Sequence, residues 1–333
     1  MLSALVLGVM TSCTENDDAT LDTRAIKPIV SIGSAAYSVT EGESFTVTLT
    51  SDKAVNTAMD FKLELVDGTG SFRDFVVEGV EETTPDEGAG FIGHIIVMPA
   101  YATTHTFTVT PIIDLDVEGT ETFVFALTSA RNGRGLVADG SGTITATVAD
   151  YVSNDVGVEL TWDGNTFNYF GNIVEGEYIT LNANGEPTPA AFTDFDFDLY
   201  IISAASFDEV TEYAGATGNS PEMAVISEDL PDGDYLLIAD LFEAGDEPVE
   251  PFVHNLSMKV SKFGNWSVTI PIPGYGSDHA DSAPNGLDGG ETIVATLTKT
   301  GTTYVLKNEA GDVLAQGRMS AIANKFKARK VRK

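Results

Sequence analysis

Carboxylates dominate the chemistry open to this chain. Asp114-Leu115-Asp116-Val117-Glu118 sets three acids at alternate positions, while Glu41, Asp74 and Asp150 stand in short turns between apolar runs. Clustered oxygen donors suit a hard cation such as calcium, which takes about six to eight of them. Catalytic patterns are missing by comparison. There is no Gly-x-Ser-x-Gly, and His94, His105, His254 and His279 are isolated, without the spacing of a metal pair. His279 lies near Ser277, Asp278 and Asp281, but a triad is made by convergence in space, not in sequence. No carboxylate pair stands out for glycoside hydrolysis. These residues predict a noncatalytic protein.

Charge narrows the partners. Eighteen basic against 50 acidic residues give −32, and six of the basic ones fall in 325–333, so the body before them is near −38. Such a surface excludes nucleic acid and fits cation binding or solubility outside the cell. The single cysteine, Cys13, follows the apolar run Leu2 to Met10 through Thr11 and Ser12. That layout resembles a bacterial lipoprotein signal, cut before a cysteine that receives a lipid. Residues 1–12 are then a signal peptide and 13–27 an acidic flexible tether. Its Asp17-Asp18 pair is similar to the surface-export signal of Bacteroidetes lipoproteins, which implies a lipid anchor in the outer membrane and a body facing the exterior.

The elements that must position the acids have a period of two. Phe45, Val47 and Leu49 alternate with polar residues, as do Phe61, Leu63 and Leu65, then Phe107 and Val109, then Phe123, Phe125 and Leu127. Thr, Val and Phe suit half-buried strands, and turn residues separate the runs. The fold class expected is all-β, as two antiparallel β-sandwich domains over 28–151 and 155–317, with a basic disordered tail at 321–333. Strands in the first half are expected at about 29–39, 44–50, 57–66, 91–98, 104–112, 121–128 and 142–149. If these run alternately up and down, Glu41, Asp74, Asp114, Asp116, Glu118 and Asp150 share one pole beside the connector to the second domain. Crowding them costs repulsion that a hard cation would relieve. The alternative is that the acids are solvated or cap turns.

Tyr37-Ser38-Val39-Thr40-Glu41-Gly42-Glu43, then Ile112-Ile113-Asp114-Leu115-Asp116-Val117-Glu118-Gly119-Thr120-Glu121-Thr122-Phe123, then a last strand ending in Asp150, resemble a Calx-beta domain over about 28–151. The resemblance implies a seven-stranded immunoglobulin-like sandwich, often binding calcium at one end, in exchangers, integrins and bacterial surface proteins. Calcium-binding members usually end the last strand in several aspartates, whereas Tyr151 and Val152 follow Asp150 here. Leu115 also stands where an acid is frequent.

In the second half, Asp194, Asp196 and Asp198 alternate with Phe195, Phe197 and Leu199. Together with Pro231-Asp232-Gly233-Asp234-Tyr235, this is similar to bacterial pre-peptidase C-terminal domains, which implies a jelly-roll-like sandwich. The aspartates also read as an edge strand whose charge prevents edge-to-edge pairing. Trp162, Tyr169 and Tyr275, with Asp163 or Asp278, are candidates for stacking on and hydrogen bonding to an extracellular glycan, Tyr275 and Asp278 foremost; Trp266 reads as core. The function expected is a calcium-binding surface lipoprotein in adhesion or ligand presentation; the alternative is glycan capture for polysaccharide uptake.

Overall fold

The structure is a computed structural model that describes residues 27–83, 92–162, 166–169, 172–206, 215, 217, 220–277 and 291–317. Cys13, Asp163, Asp278, the signal, most of the tether and the basic tail lie outside the described residues.

Ten strands build the first half. They are β1 (Ile29–Ile32), β2 (Ala36–Thr40), β3 (Phe45–Ser51), β4 (Met59–Gly68), β5 (Phe75–Val77), β6 (His94–Met98), β7 (Thr104–Pro111), β8 (Thr120–Ser129), β9 (Leu136–Val137) and β10 (Thr143–Ala149). They form two five-stranded sheets, ordered β5-β7-β3-β1-β9 and β2-β10-β8-β4-β6. Alternation is the cause: Phe45, Val47 and Leu49 of one sheet and Phe61, Phe123, Phe125, Ile144 and Val148 of the other bury their side chains in one shared core.

One feature departs from a purely antiparallel sandwich. The first expected strand is two strands, and the chain changes sheets between Ile32 and Ala36. β1 runs antiparallel to β3, whereas β2 runs parallel to β10, with Thr40 opposite Ala149. β1 and β9 are also parallel.

The second half contains β11 (Val156–Thr161), β12 (Thr166–Tyr169), β13 (Asn172–Glu175), β14 (Glu177–Leu181), β15 (Pro187–Ala191), β16 (Asp196–Ser203), β17 (Glu222–Ile226), β18 (Gly233–Glu243), β19 (Leu256–Lys262), β20 (Trp266–Ile272), β21 (Glu291–Thr300), β22 (Thr303–Asn308) and β23 (Val313–Gly317). A four-stranded sheet, β17-β11-β19-β20, and a five-stranded sheet, β16-β18-β21-β22-β23, enclose a second core, with hairpins β12-β13 and β14-β15 beside them. Asp194 is not on the strand where the alternation placed it. It closes a 3-10 turn over Phe192–Asp194 and accepts a hydrogen bond from the Ala191 amide at 3.1 Å, because the backbone needs a cap there.

His254 sits inside the second core, 3% exposed, with Phe195, Phe197 and Phe252 at ring distances of 4.4, 5.1 and 4.9 Å. Burial lowers its pKa from 6.5 to about 4, so the folded chain keeps the imidazole neutral while the unfolded chain charges it. The stability this neutral form contributes is complete above pH 6.5 and is lost as pH falls toward 4, by roughly 3 kcal/mol. Urea unfolding of the parent should weaken over that window more steeply than that of His254→Phe; parallel curves would refute the assignment.

Candidate metal centre

Local geometry draws three acids of the first half together. Parallel pairing of β2 with β10 carries Glu41 to the end of β10, where its amide donates to the Ala149 carbonyl at 3.0 Å. Gly42 turns the chain at a φ of +76°, a conformation that disfavours any side chain. Its amide donates to the Pro111 carbonyl at 2.8 Å, which fixes the turn against the start of the 112–119 loop. A Cβ at Gly42 would stand 2.7 Å from Ile113 Cδ1, so glycine also allows that close approach.

Glu41, Asp114 and Glu118 each offer a carboxylate oxygen, and these oxygens lie within 4.8 Å of one another. Two oxygens on one calcium ion can be no more than about 5.2 Å apart, twice the longest usual bond, so the spacing already fits an ion. Glu41 is buried, Asp114 half-buried and Glu118 exposed, so the group opens from the protein toward solvent. At such distances two ionised carboxylates near a surface repel by on the order of 3 kcal/mol.

Burial, and after it that crowding, raises all three carboxyls. Glu41 is pushed up to about 7, chiefly by burial, against the hydrogen bond from the Tyr151 amide and with Asp114, Asp150 and Glu118 adding repulsion. That amide donates to Glu41 Oε2 at 3.0 Å. Glu118 is also pushed up to about 7, by burial and then by Asp114, Glu121, Asp116 and Asp74. Burial first, then neighbouring acids, raise Asp114 against the amide of Asp116, which donates to its Oδ1 at 2.7 Å.

The other three candidates are placed differently. Asp150 is adjacent, but its Oδ1 accepts from the Gly119 amide at 2.9 Å, which ties the end of β10 to the loop carrying Glu118. Asp116 turns away to an ion pair with Lys259 of β19, at 2.9 Å. Asp74 caps its own turn, accepting from the Ser71 amide and, at 2.8 Å, from the Ser71 hydroxyl.

One further acid belongs beside the group. Glu121 is buried, and burial, then Asp74, Asp114 and Asp150, raise its pKa. Its signal was in the sequence, since it shares the inward phase of β8 with Phe123, Phe125 and Leu127.

The aromatic platform expected on the second half is corrected. Tyr275 is fully buried; its hydroxyl donates to the Ala239 carbonyl at 2.9 Å and its ring packs edge-on against Phe197. Trp162 is also fully buried, against Phe197 at 5.3 Å. Large rings gain more by closing this core than by facing water, so neither can stack on a sugar. Trp266 packs partly buried against the same core.

No protein-family model matches the chain, and no curated protein matches it. Among solved structures it is similar to the apo form of the Calx CBD1 domain, at 21% identity and a TM-score of 0.28, covering 37% of this chain and 97% of that one. It is also similar to CBD12 from CALX1.2, at 13% identity and a TM-score of 0.27, covering 69% and 79%. A third is the calcium binding domain CBD12 of CALX1.1, at 15% and 0.28, covering 68% and 83%. At those scores the likeness carries no argument about what this chain binds.

The raised Glu41 carboxyl fixes a sign. Stability from its protonated form is present below the ordinary 4.5 and is lost as pH rises through about 7. In EDTA the melting temperature should therefore fall between pH 5 and 8, and Glu41→Gln should melt roughly 2–5 °C above the parent at pH 8 but not at pH 5. Equal profiles for the two proteins would show that the carboxyl carries no such strain.

Proposed function

We propose that Glu41, Asp114 and Glu118 hold a divalent cation, with calcium as the ion their chemistry favours. The observation that carries this is the set of three carboxylate oxygens within 4.8 Å of one another, drawn from two separate loops. All the donors are oxygen, with no imidazole or thiolate among them, which selects a hard cation over zinc or copper. Waters complete the shell on the exposed side. An ion there would offset the burial and the repulsion that together raise Glu41 and Glu118, and would fasten the 112–119 loop to the end of β2.

The wider role proposed is a noncatalytic, calcium-dependent surface module. Cys13 would carry the lipid, the tether would lift the body from the outer membrane, and the first half would stiffen the presentation of the second to an extracellular ligand in adhesion. An acylated cysteine with a second, amide-linked chain supplies enough buried methylenes for stable anchoring.

Two experiments test these statements. Calcium at about 10 mM should raise the melting temperature of the soluble body by several degrees and slow protease cleavage near Tyr151, as expected for a site with a Kd of about 10⁻⁴–10⁻³ M. Asp114→Ala should abolish both effects. Equal protection by sodium chloride at matched ionic strength would show simple screening instead. For the anchor, mass spectrometry of the native protein should find Cys13 as an acylated N-terminus; an intact Met1 or a free thiol would rule it out.

A further inference from the structure

A second group of acids lies on the other half of the molecule, with no relation to the first. Asp198 on β16 stands directly opposite Asp240 on β18, and Asp240 stands directly opposite Glu291 on β21. Directly paired residues point to the same face, with Cβ atoms about 4.5–5.5 Å apart. Three carboxylates therefore form a row across three adjacent strands. Their face is the one away from the core, since Phe197, Leu199, Ala239 and Leu241 occupy the alternate positions. A β-bulge interrupts each pairing, between Asp196 and Phe197 in one and between Leu237 and Ile238 in the other. Bulges of this kind re-aim side chains and gather near functional sites.

Protection of a sheet edge does not explain the row. That device places charge on an exposed edge strand, and β16 is indeed an edge. Asp240, however, lies on β18, flanked on both sides, and is only 8% exposed; Asp198 is 5% exposed. Asp198 Oδ2 accepts from the Tyr200 hydroxyl at 2.7 Å. Among the described residues Asp240 Oδ1, which is buried, has no hydrogen-bond partner. Among the described residues none of the three acids takes part in an ion pair. A buried carboxylate oxygen with no donor, facing two further carboxylates, is costly unless something positive reaches it.

We propose that Asp198, Asp240 and Glu291 form a second divalent-cation site, of the calcium class, on the outer face of the second sandwich. Asp198 Oδ1 and Asp240 Oδ1 are the fixed donors on neighbouring strands. Glu291, exposed at the start of β21, is the mobile one, and its side chain closes on the ion by rotation. Among the described residues only Glu41, Asp114 and Glu118 form a group of three whose oxygens already sit within 4.8 Å of one another, so this second site is assembled by the ion and should bind more weakly.

The test uses the full soluble body with the first group disabled by Asp114→Asn and Glu118→Gln, so it stands whether or not that group binds calcium. Terbium(III) is the probe, excited through tyrosine, because Tyr200 touches Asp198. Saturable emission is expected that calcium chloride displaces and sodium chloride at matched ionic strength does not. Asp240→Asn should weaken binding at least tenfold, and Tyr200→Phe should dim the emission. Asp240→Asn keeps the shape of the side chain and removes a buried charge, so in EDTA it should melt at or above its parent while losing the calcium-induced rise. No saturable emission, or emission that survives Asp240→Asn unchanged, would overturn the site and leave Asp240 as a carboxyl that holds a proton.

Discussion

Parallel pairing of β2 with β10 is the constraint on which the rest of the first half depends. It exists because the chain leaves β1 after Ile32 and crosses to the opposite sheet before Ala36. Once Thr40 lies opposite Ala149, Glu41 has nowhere to go but the end of β10, where the Tyr151 amide receives its carboxylate. Gly42 then returns the chain toward Pro111, and the 112–119 loop brings Asp114 and Glu118 to the same point. Backbone hydrogen bonds thus hold the acids together against their own repulsion. The protein carries that electrostatic cost in its fold, and the divalent cation proposed for this site would convert the cost into binding energy.

The same loop also faces the second half. Leu115 is only 3% exposed, and a Cβ placed on Gly157 of β11 would stand 2.3 Å from its Cδ2 and 2.9 Å from Phe263 Cζ. Tyr151 packs edge-on against Phe263, with ring centroids 5.5 Å apart. The apolar residue at 115 is therefore explained by packing: an acid there would be buried against Gly157 and Phe263 with no water to solvate it. Asp116, next along, is neutralised by Lys259 of β19 at 2.9 Å. Glu118 and Asp114 are left to face solvent beside Glu41. Alternate residues of one loop divide their work between the junction and the acidic group.

Most of the architecture was legible in the sequence, because period-two runs such as Phe45, Val47, Leu49 and Phe123, Phe125, Leu127 place one face inward whatever partner they find. What escaped was set by partners far away in the chain. The inward phase slips across Gly33, from Val30 and Ile32 to Tyr37 and Val39, but which sheet each piece joins depends on β3 and β10. The pair Asp116–Lys259 joins positions 143 residues apart and leaves no periodic trace. Tyr275 sits in a glycine-rich stretch that reads as exposed loop, yet its ring closes the core against Phe197. Alternation did place Asp198 opposite the core, but only the structure shows that this second face buries it. Local chemistry set the elements, and long-range pairing set what each acid meets.

The most direct measurement is crystallographic, with calcium present and anomalous scattering used to locate it. A peak bonded at about 2.3–2.6 Å to carboxylate oxygens of Glu41, Asp114 and Glu118 is the expected result. Those three carboxylates turned apart, with no peak between them at saturating calcium, would contradict the assignment of a cation to this pole.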